Sequence, residues 1–259
     1  MLNLKDLKSY YSLNTEIHDI NILKEYLQYK ILEIIFDSRI GHKLSFIGGT
    51  ALRIIYNTSR FSEDLDFDSF DLLKTEFKDV SEIIQAKLEL EGYKVEIKSH
   101  VENKTFHYYI KIPDLLFVNN LSSHKNEKIF IKVDTEPQGV NYKPESKLMD
   151  KFNILTYVNV TPIDILLSMK LHAVFSRKRP QGRDFYDVLF LCSKTKPNYN
   201  FLKQKLDISN SKSLKEKLLV KCKELDFNKL VKDVEPLIFT SNELKKVLLF
   251  KDFIKQAEL

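Results

Sequence analysis

Tryptophan is absent, cysteine occurs twice, and glycine and proline number only six and seven in 259 residues. So few chain breakers exclude collagen-like repeats and argue against long linkers and low-complexity disorder. The two cysteines, Cys192 and Cys222, lie far from any Cys-x-x-Cys or His-rich spacing. That pattern speaks against a disulfide framework or a zinc ribbon and predicts reduced thiols in the core or at the surface. No apolar run reaches the roughly 18 residues that cross a bilayer. The opening MLNLKDLKSYYSLNTEIHD lacks the basic-then-apolar order of a secretory signal. The expectation is a cytoplasmic protein with no membrane partner.

What is present is a 43% hydrophobic chain long enough for one large domain or two small ones. Its net charge of +5 is unevenly spread. Residues 146–259 hold 22 Lys and Arg against 13 Asp and Glu, while residues 1–145 hold 19 against 23. An acidic half suits a metal and a basic half suits phosphates, although lysine-rich composition alone decorates any surface in this way.

Residues 16–37 carry Ile20, Leu23, Leu27, Ile31, Ile34 and Ile35 at helical spacing, which predicts a long amphipathic helix. Leu44-Ser45-Phe46-Ile47 reads as a buried strand stopped by Gly48-Gly49, with a helix over 50–56 and a second strand over 65–68. A helix over 74–91 is closed by Gly92, and strands follow at 93–98, 105–112 and 129–134. After Pro144 the pattern turns mostly helical. Thr161-Pro162-Ile163-Asp164 predicts a capped helix running to about Ser176, and further helices are expected from about Arg183, over 213–225 and over 242–257. The predicted class is α+β: a mixed sheet flanked by helices over 1–145, then a basic helical part over 146–259.

The chemistry concentrates in FIGGTALRIIYNTSRFSEDLDFD, residues 46–68. Asp64, Asp66 and Asp68 alternate with Leu65 and Phe67, so in a strand at least Asp64 and Asp66 project to one face. Carboxylates held that close repel unless a cation lies between them, and a hard divalent ion such as Mg²⁺ or Mn²⁺ fits oxygen donors. Asp134, ending the apolar run 129–133, is the best third acid, with Glu136 as the alternative. A solvated acidic edge strand is the plain reading of Asp-x-Asp alone. It explains less well why two glycines and Thr50 stand just upstream, where backbone N–H groups can approach a phosphate. Ser62 adds a hydroxyl to that site or caps a turn.

Gly48-Gly49-Thr50-Ala51-Leu52, then Arg60-Phe61-Ser62-Glu63-Asp64-Leu65-Asp66-Phe67, resembles the signature of the AbiEii/AbiGii toxin family within the nucleotidyltransferase superfamily. Lys170-Leu171-His172-Ala173 and Arg183-Asp184-Phe185-Tyr186-Asp187 continue the likeness, which spans about residues 46–190. The resemblance implies a polymerase-beta-like fold and an NTP bound at Gly49 and Thr50, next to Gly48. It also implies metal at Asp64, Asp66 and Asp134, a triphosphate contact from Lys170, and Asp184 as a positioning group or base. It further implies transfer of a nucleoside monophosphate to an acceptor such as a tRNA 3′ end. A cognate antitoxin, with a role in abortive infection, phage defence or growth arrest, follows from the same likeness.

Lys170, His172, Arg177, Lys178, Arg179 and Arg183 cluster within fourteen residues. Lysine suits a triphosphate as a mobile point charge and arginine offers a planar fork. Arg183 pairing with Asp187 one turn on is an equally good structural reading. Lys212, Lys215, Lys217, Lys221 and Lys223 form either a solvated helix face or an RNA contact. Two other functions use the same residues: a nucleotide- or RNA-binding protein without chemistry, and an NMP transferase acting on a protein or small molecule. The oligomeric state leaves no mark in the sequence.

Overall fold

The computed structural model describes residues 2–12, 17–102 and 105–259, so residue 16 of the first expected helix lies outside the described residues. The chain divides into two compact units, Met1–Asn57 with Phe61–Val160, and Thr58–Arg60 with Thr161–Leu259.

The first unit opens with helices α1 (Leu4–Lys8) and α2 (Asp19–Phe36). The helical spacing of Leu23, Leu27, Ile31, Ile34 and Ile35 buries all five on α2. There follow β1 (Leu44–Ile47), α3 (Gly48–Tyr56), β2 (Leu65–Ser69), α4 (Lys74–Leu90), β3 (Glu96–Glu102) and β4 (Thr105–Ile112). The unit closes with α5 (Leu115–Val118), β5 (Ile129–Thr135), β6 (Glu145–Lys151) and β7 (Ile154–Val160). The strands form one mixed sheet in the order β3-β4-β5-β2-β1-β7-β6. β2 runs parallel to β5 and antiparallel to β1, so the two acid-bearing strands are direct neighbours. On β4, Phe106, Tyr108, Ile110 and Ile112 alternate into the core, where Tyr108 stacks on Phe77 of α4 at 3.7 Å.

Two strands were not legible. Residues 146–160, expected to begin the helical part, join Glu145 in the β6–β7 hairpin and complete the sheet. The hairpin turns at Phe152 and Asn153, both with φ near +60°, a conformation normally signalled by Asn-Gly. Phe152 tolerates it because its ring is fully packed among Tyr10, Tyr11, Tyr26 and Tyr29. The compact units accordingly part after Val160, and the short piece Thr58–Arg60 goes with the second.

The second unit comprises α6 (Ile163–Ser176), α7 (Gly182–Cys192), α8 (Tyr199–Leu206), α9 (Ser211–Lys223), α10 (Phe227–Val234), α11 (Leu244–Leu248) and α12 (Phe250–Gln256). The cap expected at Thr161 is displaced: Pro162 occupies the N-cap position and no side chain caps the helix. α7 packs against α10 through Gly182, where an added Cβ would lie 1.9 Å from the Leu230 carbonyl oxygen. Cys192 and Cys222 are free thiols, and burial pushes them up to about 12 and about 11. None of the described helices is long and apolar enough to cross a membrane.

Candidate active site

The sheet register gathers the acids of the first unit. Ile47, the last residue of β1, pairs with Asp66, and Asp66 pairs in turn with Asp134 on β5. His107 on β4 is the next residue in that row. Register partners share a face, so Asp66, Asp134 and His107 stand side by side across three strands.

Gly48 explains the upstream glycine pair. Its φ is +78°, and a Cβ there would fall 2.3 Å from Asp66 Oδ2. The Asp66 carboxylate thus lies directly against the Gly48 backbone, where only glycine fits. The two glycines form the first turn of α3 rather than a turn ahead of it. Thr50 is fully buried and its hydroxyl donates to the Asp64 carbonyl oxygen, pinning the residue that carries the first acid. From α2, Gln28 Nε2 donates to the carbonyls of Ser62 and Glu63 at 2.9 and 2.8 Å. The segment entering β2 is thereby held on both sides.

Asp68 has a different task from its two predecessors. It is buried and accepts from the Gln138 N–H at 2.8 Å and the Tyr142 hydroxyl at 2.7 Å. It ties down the chain after β5.

Asp134 is engaged by the protein itself. Its Oδ1 lies 2.6 Å from His107 Nδ1 and its Oδ2 lies 2.6 Å from Lys132 Nζ. Burial opposes the charge on Lys132, yet Asp134, Tyr109 and Asp64 outweigh it and hold the ammonium above its ordinary value. The repulsion among the acids, which suggested a metal between them, is thus partly met by Lys132. No group of three or more His, Cys, Asp or Glu side chains is spaced to hold a metal among the described residues. The donors still suit Mg²⁺, which is commonly held by one or two carboxylates together with substrate phosphates rather than by an all-protein cage. Glu136 is exposed and lies beyond the end of β5, so the register favours Asp134 as the third acid.

In the second unit Lys170 of α6 and Asp184 of α7 come together, but through a network the sequence did not reveal. Lys170 Nζ is 2.8 Å from Asp187 Oδ2 and 3.8 Å from Asp184 Oδ1. Arg60 grips the same Asp187 with two hydrogen bonds of 2.6 Å, from Nε to Oδ1 and from Nη2 to Oδ2. Arg177 Nε stands 2.6 Å from Asp184 Oδ2, close enough for an ion pair, although neither Asp184 oxygen accepts a well-directed hydrogen bond. Burial opposes ionisation of Asp187, and Arg60 and Lys170 reverse that to hold its carboxyl below the ordinary value. The expected Arg183–Asp187 pair does not form, since Arg183 Nε donates instead to Gln181 Oε1. Phe185 and Tyr186 are core residues.

A family model described as "Nucleotidyl transferase AbiEii toxin, Type IV TA system" matches residues 30–255. The chain belongs to the AbiEii nucleotidyltransferase toxin family. The GGT turn, the paired acids, Lys170 and the Arg-Asp-x-x-Asp stretch all lie inside the matched region. Among solved structures, MenT4, a nucleotidyltransferase toxin from Mycobacterium tuberculosis H37Rv, aligns at 16% identity with a TM-score of 0.60, covering 100% of this chain and 91% of that one. JHP933 from Helicobacter pylori aligns at 18% identity and TM-score 0.58, covering 93% and 92%. A putative nucleotidyltransferase from H. pylori aligns at 19% and 0.58, covering 92% and 96%. At such identities these likenesses establish the fold. No curated protein matches.

Proposed function

We propose that this AbiEii family member transfers the nucleoside monophosphate of an NTP to a hydroxyl of RNA, with the 3′ end of a tRNA as the favoured acceptor. The observation that carries the reading is the lateral row of Asp66 and Asp134, with the Gly48 backbone closed against the Asp66 carboxylate. In the transfer the acceptor oxygen bonds to the α-phosphorus while the bond to the bridging oxygen breaks and pyrophosphate leaves. Asp64 and Asp66, with Asp134 on the neighbouring strand, are the residues that would hold a divalent metal, Mg²⁺ or Mn²⁺. When bound, that ion would neutralise charge on the α-phosphate and the departing pyrophosphate. The N–H groups at the start of α3, beside Gly48 and Gly49, suit a phosphate. Thr50 and Ser62 support this region from below: the Thr50 hydroxyl is committed to Asp64, and the Ser62 carbonyl to Gln28. Lys170 would contact the triphosphate, and Asp184 would position substrate or take a proton. The basic residues of the helical part after Val160 would meet the RNA backbone. The cellular role that follows is a cytoplasmic toxin restrained by a cognate antitoxin, acting in growth arrest or phage defence.

The test is incorporation of label from each α-labelled NTP into total RNA with Mg²⁺ present. Wild-type protein should label RNA, and Asp64→Asn and Asp66→Asn should each abolish labelling while leaving the thermal transition unchanged or higher. Full activity in both variants would remove the acids from the chemistry. Label appearing on protein or on a small molecule would replace the acceptor and leave the transferase reading standing.

A further inference from the structure

Asp187 is wholly buried, and both of its oxygens are used. Arg60, itself 1% exposed, takes both oxygens in a two-point grip, and Lys170 reaches only Oδ2, from the side left open. Arg60 comes from far away in the chain, 127 residues before Asp187. It enters the second unit on Thr58–Arg60, where Arg60 bridges Ile238 and the Ser59 carbonyl accepts from the Phe239 N–H. Burying a guanidinium completely is expensive, and a buried ion pair is on balance weak support for stability. The arrangement therefore asks for a second explanation.

Charge supplies one. Lys170 and Asp187 alone would form a neutral pair, and the carboxylate would offset the attraction of the ammonium for an anion. Arg60 cancels Asp187 first. Together with Arg177 and Asp184, the cluster then holds three cations and two carboxylates, an excess of one positive charge. Geometry supplies another. A lysine ammonium sits on a flexible four-carbon stem and finds no fixed position unaided. A carboxylate clamped by a planar guanidinium gives it one.

We propose that Arg60 and Asp187 are positioning residues for Lys170: Arg60 orients and neutralises the Asp187 carboxylate, and Asp187 Oδ2 aims the Lys170 ammonium while leaving its charge available to a phosphate. The substrate side of this proposal rests on Lys170 contacting the triphosphate; the anchoring itself does not. Arg60 thus acts through Asp187 and Lys170 and touches no reacting atom.

The test uses the full chain carrying Arg60→Met together with Asp187→Leu, since replacing both charges by apolar groups spares the fold where removing one does not. With Tm within a few degrees of wild type, two readouts follow. First, acylation of Lys170 by an amine-reactive reagent, followed by peptide mass spectrometry, should run about five-fold faster in the double variant; an unchanged rate overturns the anchoring. Second, kcat/KM for NTP should fall as far as in Lys170→Ala, and adding Lys170→Ala to the double variant should cost little more, as expected of groups acting as a unit. Where Lys170→Ala itself lowers kcat/KM, full additivity, or wild-type kcat/KM in the double variant, overturns the proposal. If Lys170→Ala is itself kinetically silent while acylation responds, the triphosphate role fails and the anchor stands. Should the double variant not fold, Arg60→Lys serves in the same two measurements, because it keeps the buried charge and removes the two-point grip on Asp187.

Discussion

At Gly48 the backbone occupies the left-handed region and the Asp66 carboxylate fills the space a side chain would need. Gly48→Ala should lower stability by about 1–3 kcal/mol through the unfavourable φ. It should lower activity by much more, about 100-fold, because the new methyl group displaces an acid of the site. Urea unfolding and RNA labelling measured side by side separate the two effects, and an active Gly48→Ala enzyme would show that Asp66 need not sit there. Asp187 makes a pH-dependent contribution of definite sign. Its folded carboxyl is held below the ordinary 3.8, so its stabilisation is full above about pH 4 and is lost as pH falls through the lower folded value. Asp187→Asn should flatten the acid limb of stability against pH below about pH 4. An acid limb as steep as wild type would mean that other carboxylates govern it.

Among the elements, α2 does more than cover the sheet. Its Gln28 holds two successive carbonyls just ahead of Asp64. Its Glu25, buried, binds Arg53 of α3 at 2.8 Å and Lys151 at the end of β6 at 2.7 Å. Burial opposes ionisation of Glu25, but Arg53 and Lys151 prevail and lower its value, while burial wins on Lys151 and lowers that one too. Gln28→Ala should cost about 2 kcal/mol, since a buried and a half-buried carbonyl lose their partner. It should also reduce kcat at saturating NTP, as the acids begin to wander. A variant equally destabilised but fully active would show that the clasp is structural only. The longer helices were legible because periodicity and a closing glycine are local signals: α4 ends at Leu90 with Gly92 at φ +91° just beyond, whereas the short α8 and α10 were not expected. The β6–β7 hairpin was not. Leu148, Leu155 and Tyr157 face outward, which blurs the alternation, and its turn uses Phe152 where Asn or Gly would have announced it.

On the scale of the whole molecule, the proposed RNA acceptor would meet an excess of positive charge after residue 145, so its affinity should depend steeply on salt. Arg177, Lys178 and Arg179 are all exposed, but Arg177 already pairs with Asp184, so it cannot be reversed without touching the candidate site. Lys178→Glu with Arg179→Glu is the cleaner change. It should weaken RNA labelling far more than NTP binding and reduce the slope of log affinity against log salt by roughly 0.7–0.9 for each phosphate no longer neutralised. Reversing the exposed Lys78 and Lys87 of α4 should do little. Equal effects from both pairs would reveal nonspecific attraction to a lysine-rich surface. The later lysine run is a weaker candidate. Lys217 reaches the carbonyls of Leu206 and Asp207 at the end of α8, and Lys221 pairs with Glu224, which are ordinary helix-end and surface roles.

The sequence by itself determined the alternation of Asp64, Asp66 and Asp68, the glycine pair that opens α3, most helices, and the motif order that marks the family. The acid alternation, the glycine pair and the helical spacings are patterns within a few residues, which backbone periodicity turns into local structure. Only the tertiary structure decided what each charged group does. Register across β2, β5 and β4 set Asp66 beside Asp134 and gave Asp134 to His107 and Lys132. The chain after β5 claimed Asp68, and a guanidinium 127 residues away claimed Asp187. A carboxylate reads the same in sequence whether it faces a substrate, a lysine or a buried arginine. Its role follows from which partners share its burial, and burial is settled by long-range packing that no local pattern encodes.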